Sequence, residues 1–352
     1  MPRGRPVASP LNASWAAMGP SLGASSTLEE DAALSSLLRK LSNRIVLLIG
    51  DSSLRNQFMQ LARVGLSFSR GMPSAKAIAS HAHDGVMSLP YAIKDPDRPD
   101  SSNGFWGGFP WMIFSTPGNA TFIYAKSWGC ADVDAIARRM RGVARRHRMR
   151  SGGTLGGWPP QVVLWNFGLH LLHVYPARPV PTQAVRCAQS YSTLVGASAR
   201  ALHAELPSAR LVYRFTNAVC DGRFEGPWAI ARRAYHCAAT DLPQRRRHGC
   251  NEARVLRVQS GCRHRYNISL AQCARTFMDA GNSRAQRDEA QAALRALRSE
   301  GTSLHVSVLD AFAATEARCD ATVDGRHYPR LLATLNRRWL SSMAEAGTGY
   351  RA

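Results

Sequence analysis

The residues best suited to chemistry are a serine, an asparagine, an aspartate and two histidines spread along most of the chain. Ser52 closes Gly50-Asp51-Ser52, Asn166 and His170 belong to Trp165-Asn166-Phe167-Gly168-Leu169-His170, and Asp324 and His327 frame Asp324-Gly325-Arg326-His327. A serine hydroxyl is a weak nucleophile until a base takes its proton, and neutral imidazole is the common base. A carboxylate three residues before a histidine can fix the tautomer and orientation of that imidazole. A side-chain amide can donate to the oxyanion that grows on an attacked carbonyl. Together these residue types spell acyl transfer. Singly, each has a plainer use: Gly-Asp-Ser is a good helix N-cap, Asn166 a turn former, Asp324-Gly325 a common turn pair. Their setting tips the balance, because each sits at a predicted strand end or helix start.

The elements that must position them follow from the hydrophobic pattern. Residues 1–40 are rich in Ser, Ala, Gly and Pro and read as a poorly ordered leader ending in a short amphipathic piece. Arg44 to Ile49 is a continuous apolar run, as in a buried parallel strand, and the pattern turns helical at Leu54, Phe58, Leu61 and Ala62. Phe68 to Ser127 is Gly- and Pro-rich, with one predicted strand at Ala120 to Ala125. Asp132 to His147 reads as a helix, Val162 to Trp165 as a second buried strand, Gln183 to Glu205 as a helix and Leu211 to Phe215 as a strand. Residues 220–275 hold five of the eight cysteines and read as a disulfide-braced insertion. Arg284 to Ser299 is helical, Leu304 to Leu309 a last strand and Tyr328 to Met343 a last helix. Strands alternating with helices predict an α/β domain with a parallel sheet, and such sheets bind ligands beyond the carboxyl ends of their strands.

GDSSLRNQ (Gly50 to Gln57), WNFGLH (Trp165 to His170) and DGRHY (Asp324 to Tyr328) resemble the PC-esterase branch of the SGNH/GDSL hydrolase superfamily. That branch includes the plant trichome-birefringence-like polysaccharide O-acetyltransferases. The resemblance runs from about Arg44 to Leu340, although its specific motifs cover fewer than twenty residues. It implies a flavodoxin-like, three-layer fold of SGNH type: one domain over 41–345, a Cys-rich insertion over 220–275 and a tail at 346–352. By the same resemblance Ser52 is the nucleophile, His327 the general base and Asp324 its orienting partner. Asn166, with Asn56, Arg55, Gly168 and His170 around it, serves the oxyanion or substrate. The second oxyanion glycine is open between Gly71 and Gly104. The late motif departs from the plant enzymes by lacking their Trp-Cys-Leu-Pro-Gly continuation. No metal and no resident cofactor is implied, beyond an acetyl donor if the enzyme is a transferase. The substrate is carbohydrate, as acetyl esters of a polysaccharide or glycan.

Composition narrows the remaining classes. Forty-five basic against 24 acidic residues give +21, but only four of the basic residues are Lys, a skew that also fits a GC-rich coding sequence. Net charge bears on association rather than fold, so weak, sequence-independent nucleic-acid contact is the expectation. Arg138 to Arg150 packs seven Arg without interleaved aromatics, which suits a solvated face or a groove for acidic polysaccharide better than base stacking. Trp106, Trp111 and Trp128 suit either sugar stacking or core packing. No segment reads as a membrane span, since Pro and Gly interrupt both long uncharged stretches. There is no GxSxG, P-loop or HExxH. His236, Cys237, His248, Cys250, Cys262 and His264 are a candidate metal set, but their spacing fits no common zinc pattern and disulfides are the favoured reading. Eight cysteines and sequons at Asn12, Asn119 and Asn267 point to the secretory pathway or Golgi lumen, against which stands the lack of a clear signal peptide. The competing function is a non-catalytic glycan- or polyanion-binding domain that keeps the fold.

Overall fold

A computed structural model describes residues 27–41, 43–65, 88–89, 111–116, 120–127, 133, 136–138, 141, 159–169, 171–172, 190–240, 242–260, 262, 269, 277–300, 304–322 and 324–346. The centre is a seven-stranded sheet in the order β2-β3-β4-β1-β5-β6-β7. Its strands are β1 (Ile45–Gly50), β2 (Ser88–Leu89), β3 (Trp111–Ser115), β4 (Thr121–Lys126), β5 (Val162–Trp165), β6 (Arg210–Arg214) and β7 (Val306–Leu309). β4, β1, β5, β6 and β7 are mutually parallel. Taken in chain order, those five strands follow the flavodoxin arrangement, with the order reversing between β1 and β5, where such sheets bind ligands.

The sheet is mixed rather than all parallel. β3 pairs antiparallel with β4, and β2 antiparallel with β3. The reason is a short hairpin: Thr116 N donates to Ala120 O at 2.8 Å and Ala120 N to Thr116 Oγ1 at 3.2 Å, leaving no room for a crossover.

Strand alternation builds a core on each face, which makes three layers. Ile45, Leu47, Ile49, Val163, Trp165, Leu211 and Tyr213 face α3 (Tyr191–Glu205) and α7 (Ala280–Ser299), together with Val133, Ile136 and Ala137. Val46, Leu48, Phe122, Tyr124, Leu164 and Val212 face α1 (Leu28–Lys40), α2 (Ser52–Gly65) and α9 (Leu332–Ala346). Two helices on the first of these faces start at side-chain caps: Ser190 caps α3 and Asp279 caps α7, each accepting from a backbone N–H of the first turn.

Helix α1 corrects the expectation of a leader through residue 40. Thr27 and Glu30 form a reciprocal capping box, and Leu34 and Leu38 are buried against α2 and α9. Residues 1–26 lie outside the described residues.

The insertion contributes α4 (Gly226–Ala239), α5 (Leu242–Arg247) and α6 (Glu252–Ser260); α4 and α6 share a small core of Tyr235, Ala238, Val255 and Val258 with Phe277. Cys237 and Cys250 are joined inside it, so their sulfurs are not available as metal ligands. Cys220 instead reaches out of the insertion to Cys319, 99 residues on, and α8 (Ala311–Thr315) packs beside that link. Of the arginine-rich run, Arg138 and Arg141 both pair with Glu205 of α3, a structural use of the charge. No helix among the described residues is long and apolar enough to cross a membrane. Asn12, Asn119, Asn267, Gly71, Gly104, Trp106 and Trp128 lie outside the described residues, as does the side chain of Trp111.

Candidate active site

The first turn of α2 begins where β1 ends. Asp51 acts as its N-cap, accepting from Ser53 N at 2.8 Å through Oδ1 while its carbonyl accepts from Arg55 N at 3.0 Å. Ser52 is therefore the first helical residue, half-buried, at the positive end of the helix dipole. Gly50 has a steric cause. A Cβ there would lie 2.3 Å from Asn166 Oδ1, so only glycine lets the end of β5 close over this turn. In that position Asn166 Oδ1 accepts from Asp51 N at 3.3 Å, and Tyr124 OH donates to the Gly50 and Asp51 carbonyls at 2.9 and 3.2 Å.

The loop before α9 carries Asp324 and His327. His327 Nε2 is 2.8 Å from Ser52 Oγ, and His327 Nδ1 is 2.6 Å from Asp324 Oδ2. An ionised carboxylate only accepts, so Nδ1 carries the proton and Nε2 presents its lone pair to the serine hydroxyl. Asp324 Oδ1 also accepts from the backbone N–H groups of His327 at 2.8 Å and Arg326 at 3.1 Å, and Arg326 Nε donates to Oδ2 at 3.1 Å. Burial alone would raise the Asp324 carboxyl, but the charges of His327 and Arg326 and the His327 hydrogen bonds outweigh it and hold Asp324 well below the usual carboxylate range. Gly325 has φ near +80°, and a Cβ there would meet the Cys220 carbonyl and the Phe224 ring at 2.6 Å. The loop thus rests on the start of the insertion.

Asn166 is fully buried, and its Nδ2 has no hydrogen-bond partner among the described residues. Because Oδ1 is committed to Asp51 N, the free atom is the donor, next to the serine turn. Asn56 is buried one helical turn beyond Ser52. Arg55 is half-buried, and its charge, after the larger effect of burial, helps pull Lys126 at the end of β4 down to about 8. Gly168 serves the turn itself: its carbonyl accepts from Leu171 and Leu172 N, and a Cβ at its positive φ would strike Tyr191 OH at 2.5 Å. His170 lies outside the described residues.

Sequence reasoning missed the network that joins the two halves of the site. Arg214, at the end of β6, is fully buried, and no carboxylate among the described residues pairs with it. It donates through Nε to Gln57 Oε1 at 2.5 Å, through Nη1 to the Phe215 carbonyl at 3.0 Å and through Nη2 to Asn217 Oδ1 at 2.6 Å. Asn217 Nδ2 in turn donates to the Arg326 carbonyl at 3.0 Å. Gln57 is also gripped by Asn336 of α9, which donates to its carbonyl at 3.0 Å. Burial pulls the guanidinium down to about 10, opposed by the charge of Asp51, so it stays a cation at neutral pH. The available signal was an arginine between Tyr213 and Phe215 in a strand otherwise reading as wholly buried.

The arrangement can deprotonate a serine hydroxyl at the mouth of a helix N-terminus, beside a free amide donor. No protein-family model matches the chain, and no curated protein matches it.

Proposed function

We propose that the chain is a serine acyl-esterase or O-acetyltransferase of the SGNH type, acting on acetyl esters of carbohydrate. The observation that carries this reading is the continuous relay Ser52 Oγ, His327 Nε2, His327 Nδ1, Asp324 Oδ2, with contacts of 2.8 and 2.6 Å. In the reaction Ser52 Oγ forms a bond to the ester carbonyl carbon as His327 Nε2 takes its proton. The oxyanion is held by Asn166 Nδ2 and by N–H groups at the start of α2. Collapse breaks the ester bond, the alcohol leaves with the proton from His327, and acyl-Ser52 remains. Water or a sugar hydroxyl then attacks, His327 again shuttling the proton, to give hydrolysis or transfer. The Cys220–Cys319 and Cys237–Cys250 disulfides support maturation in an oxidising compartment, the secretory pathway or Golgi lumen.

The test is covalent labelling by a fluorophosphonate, with peptide mapping, alongside turnover of p-nitrophenyl acetate. Label on Ser52, lost in Ser52→Ala and His327→Ala, is expected. Folded wild-type protein that neither takes label nor turns over the ester would leave the non-catalytic binding domain as the better account.

A further inference from the structure

A cavity of about 1110 Å³ opens between the insertion and the start of α7. It adjoins the catalytic loop through one side chain: Phe224 lines the cavity, and its ring is also the surface on which Gly325 rests. Cys220 N donates to the Gly325 carbonyl at 2.7 Å, fixing that wall to the loop that carries Asp324 and His327.

The charges around the cavity are unevenly spent. Asp221 is paired with Arg232 at 2.7 Å. Asp279 is engaged as the α7 cap, accepting from Asn282 N at 2.7 Å and Asn282 Nδ2 at 2.9 Å, and burial pushes its carboxyl up. Arg233, His236 and His248 are exposed on the cavity wall and make no hydrogen bond or ion pair with any described residue. What remains unsatisfied is one guanidinium and two imidazoles. The Cys237–Cys250 bond ties α4 to the turn after α5, and the two imidazole rings lie 6.4 Å apart. Behind this wall Tyr235 and Phe277 pack edge to face at 3.8 Å, both almost fully buried in the core of the insertion.

We propose that this cleft binds an anionic saccharide, whose acid groups meet Arg233, His236 and His248. This deepens the esterase reading and rests on it for the link to catalysis: an acidic glycan held here presents its ester toward the Gly325 side of the cleft. The volume is at the upper end for small-ligand sites and suits an oligosaccharide rather than a single sugar. Bidentate recognition of a carboxylate or sulfate is what an unpaired guanidinium does best.

The test titrates wild-type protein with unacetylated trigalacturonate at physiological salt, with a sulfated trisaccharide, maltotriose and a short single-stranded RNA as comparators. An anionic trisaccharide should bind and maltotriose should not, and the two acidic probes separate carboxylate from sulfate as the acid group. Arg233→Ala, or His236→Ala with His248→Ala, should each weaken binding about tenfold, the scale of a lost charge-assisted hydrogen bond. Arg257→Ala, which removes an equal charge from the exposed face of α6, should change it less than about twofold. In unmutated protein the saccharide should also shield His236 and His248, but not the exposed His305, from carbethoxylation read by mass spectrometry. Equal losses at Arg257, unshielded His236 and His248, or tighter binding of the RNA than of any saccharide would overturn the proposal. No ester is cleaved in these titrations, so failure of turnover at Ser52 counts against the esterase reading and leaves this result standing.

Discussion

Gln57 accepts a 2.5 Å hydrogen bond from Arg214, five residues along the helix from Ser52, and Arg214 reaches His327's loop through Asn217. A single buried guanidinium therefore spans the helix of Ser52 and the loop of His327. Removing Asn217's amide breaks the second half of that bridge while sparing the first. Asn217→Leu should lower kcat on p-nitrophenyl acetate by about 10-fold or more with little change in KM, because 1.4 kcal/mol of lost alignment is already a factor of ten. Arg214→Met should do the same and add no further loss in the double variant, since both cut one bridge. A drop in melting temperature with kcat unchanged would make the network structural only.

The relay itself predicts a unit rather than a sum. Ser52→Ala and His327→Ala should each abolish nearly all turnover, and the pair together should be little worse. Asp324→Asn, which leaves Nδ1 without its acceptor, should cost on the order of 10⁴-fold in kcat, as the same change does in a serine protease triad. Steady-state kinetics on all four proteins decide it; a Ser52→Ala protein with wild-type turnover would reduce the Gly-Asp-Ser turn to an N-cap.

The strand-turn-helix at Ser52 was legible because β1 is central and buried on both faces, so its residues form an unbroken apolar run. The Asp324–His327 pair was legible because three-residue spacing is local chemistry. β3 was not, since it is an edge strand in a Gly- and Pro-rich stretch and is defined by hairpin pairing to β4. α1 was masked by its flanks: the Ser- and Gly-rich residues before it hid a capping box whose value appears only when Leu34 and Leu38 pack. The role of Arg214 depends on Gln57 and Asn336, far apart in the chain, and the Cys220–Cys319 link joins partners 99 residues apart, which no sequence spacing can select.

Asn166 tests the oxyanion assignment. Asn166→Ala should cost about 10²- to 10³-fold in kcat, the loss of one preorganised donor. Asn166→Asp keeps the acceptor for Asp51 N yet replaces the donor, so protein shown by circular dichroism to be folded should be as slow as the alanine variant. Gly50→Ala should damage both stability and turnover, because its Cβ would displace the Asn166 amide. Turnover in Asn166→Asp within threefold of wild type would remove Asn166 from the mechanism.

The Cys220–Cys319 bond closes a loop of about 100 residues, for which the chain-entropy model gives about 4.7 kcal/mol. The local consequence is sharper than the global one. Cys220 N holds the Gly325 carbonyl, and Tyr328 OH donates to the Ala218 carbonyl at 2.8 Å, so the bond staples the floor of the loop that carries Asp324 and His327. Replacing both cysteines with Ser should lower kcat at temperatures where circular dichroism still reports native helix. Wild-type kcat in a protein with a lowered melting point would confine the bond to global stability.

Acid titration checks the Asp324 environment without any substrate. Its native carboxyl is held below the ordinary value, while in the unfolded chain it returns to about 3.9, so near that pH the unfolded state binds more protons. Stability contributed by the ionised, paired carboxylate is thus fully present above the unfolded value and is lost as pH falls toward the native one. Asp324→Asn has no such contribution to lose. Urea unfolding of the two proteins should show a gap that closes progressively below about pH 4. A gap that widens as pH falls below about 4 would mean that the native carboxyl is raised rather than lowered. Asp324 would then be neutral where the relay requires it ionised, and His327 would lack the partner that fixes its tautomer.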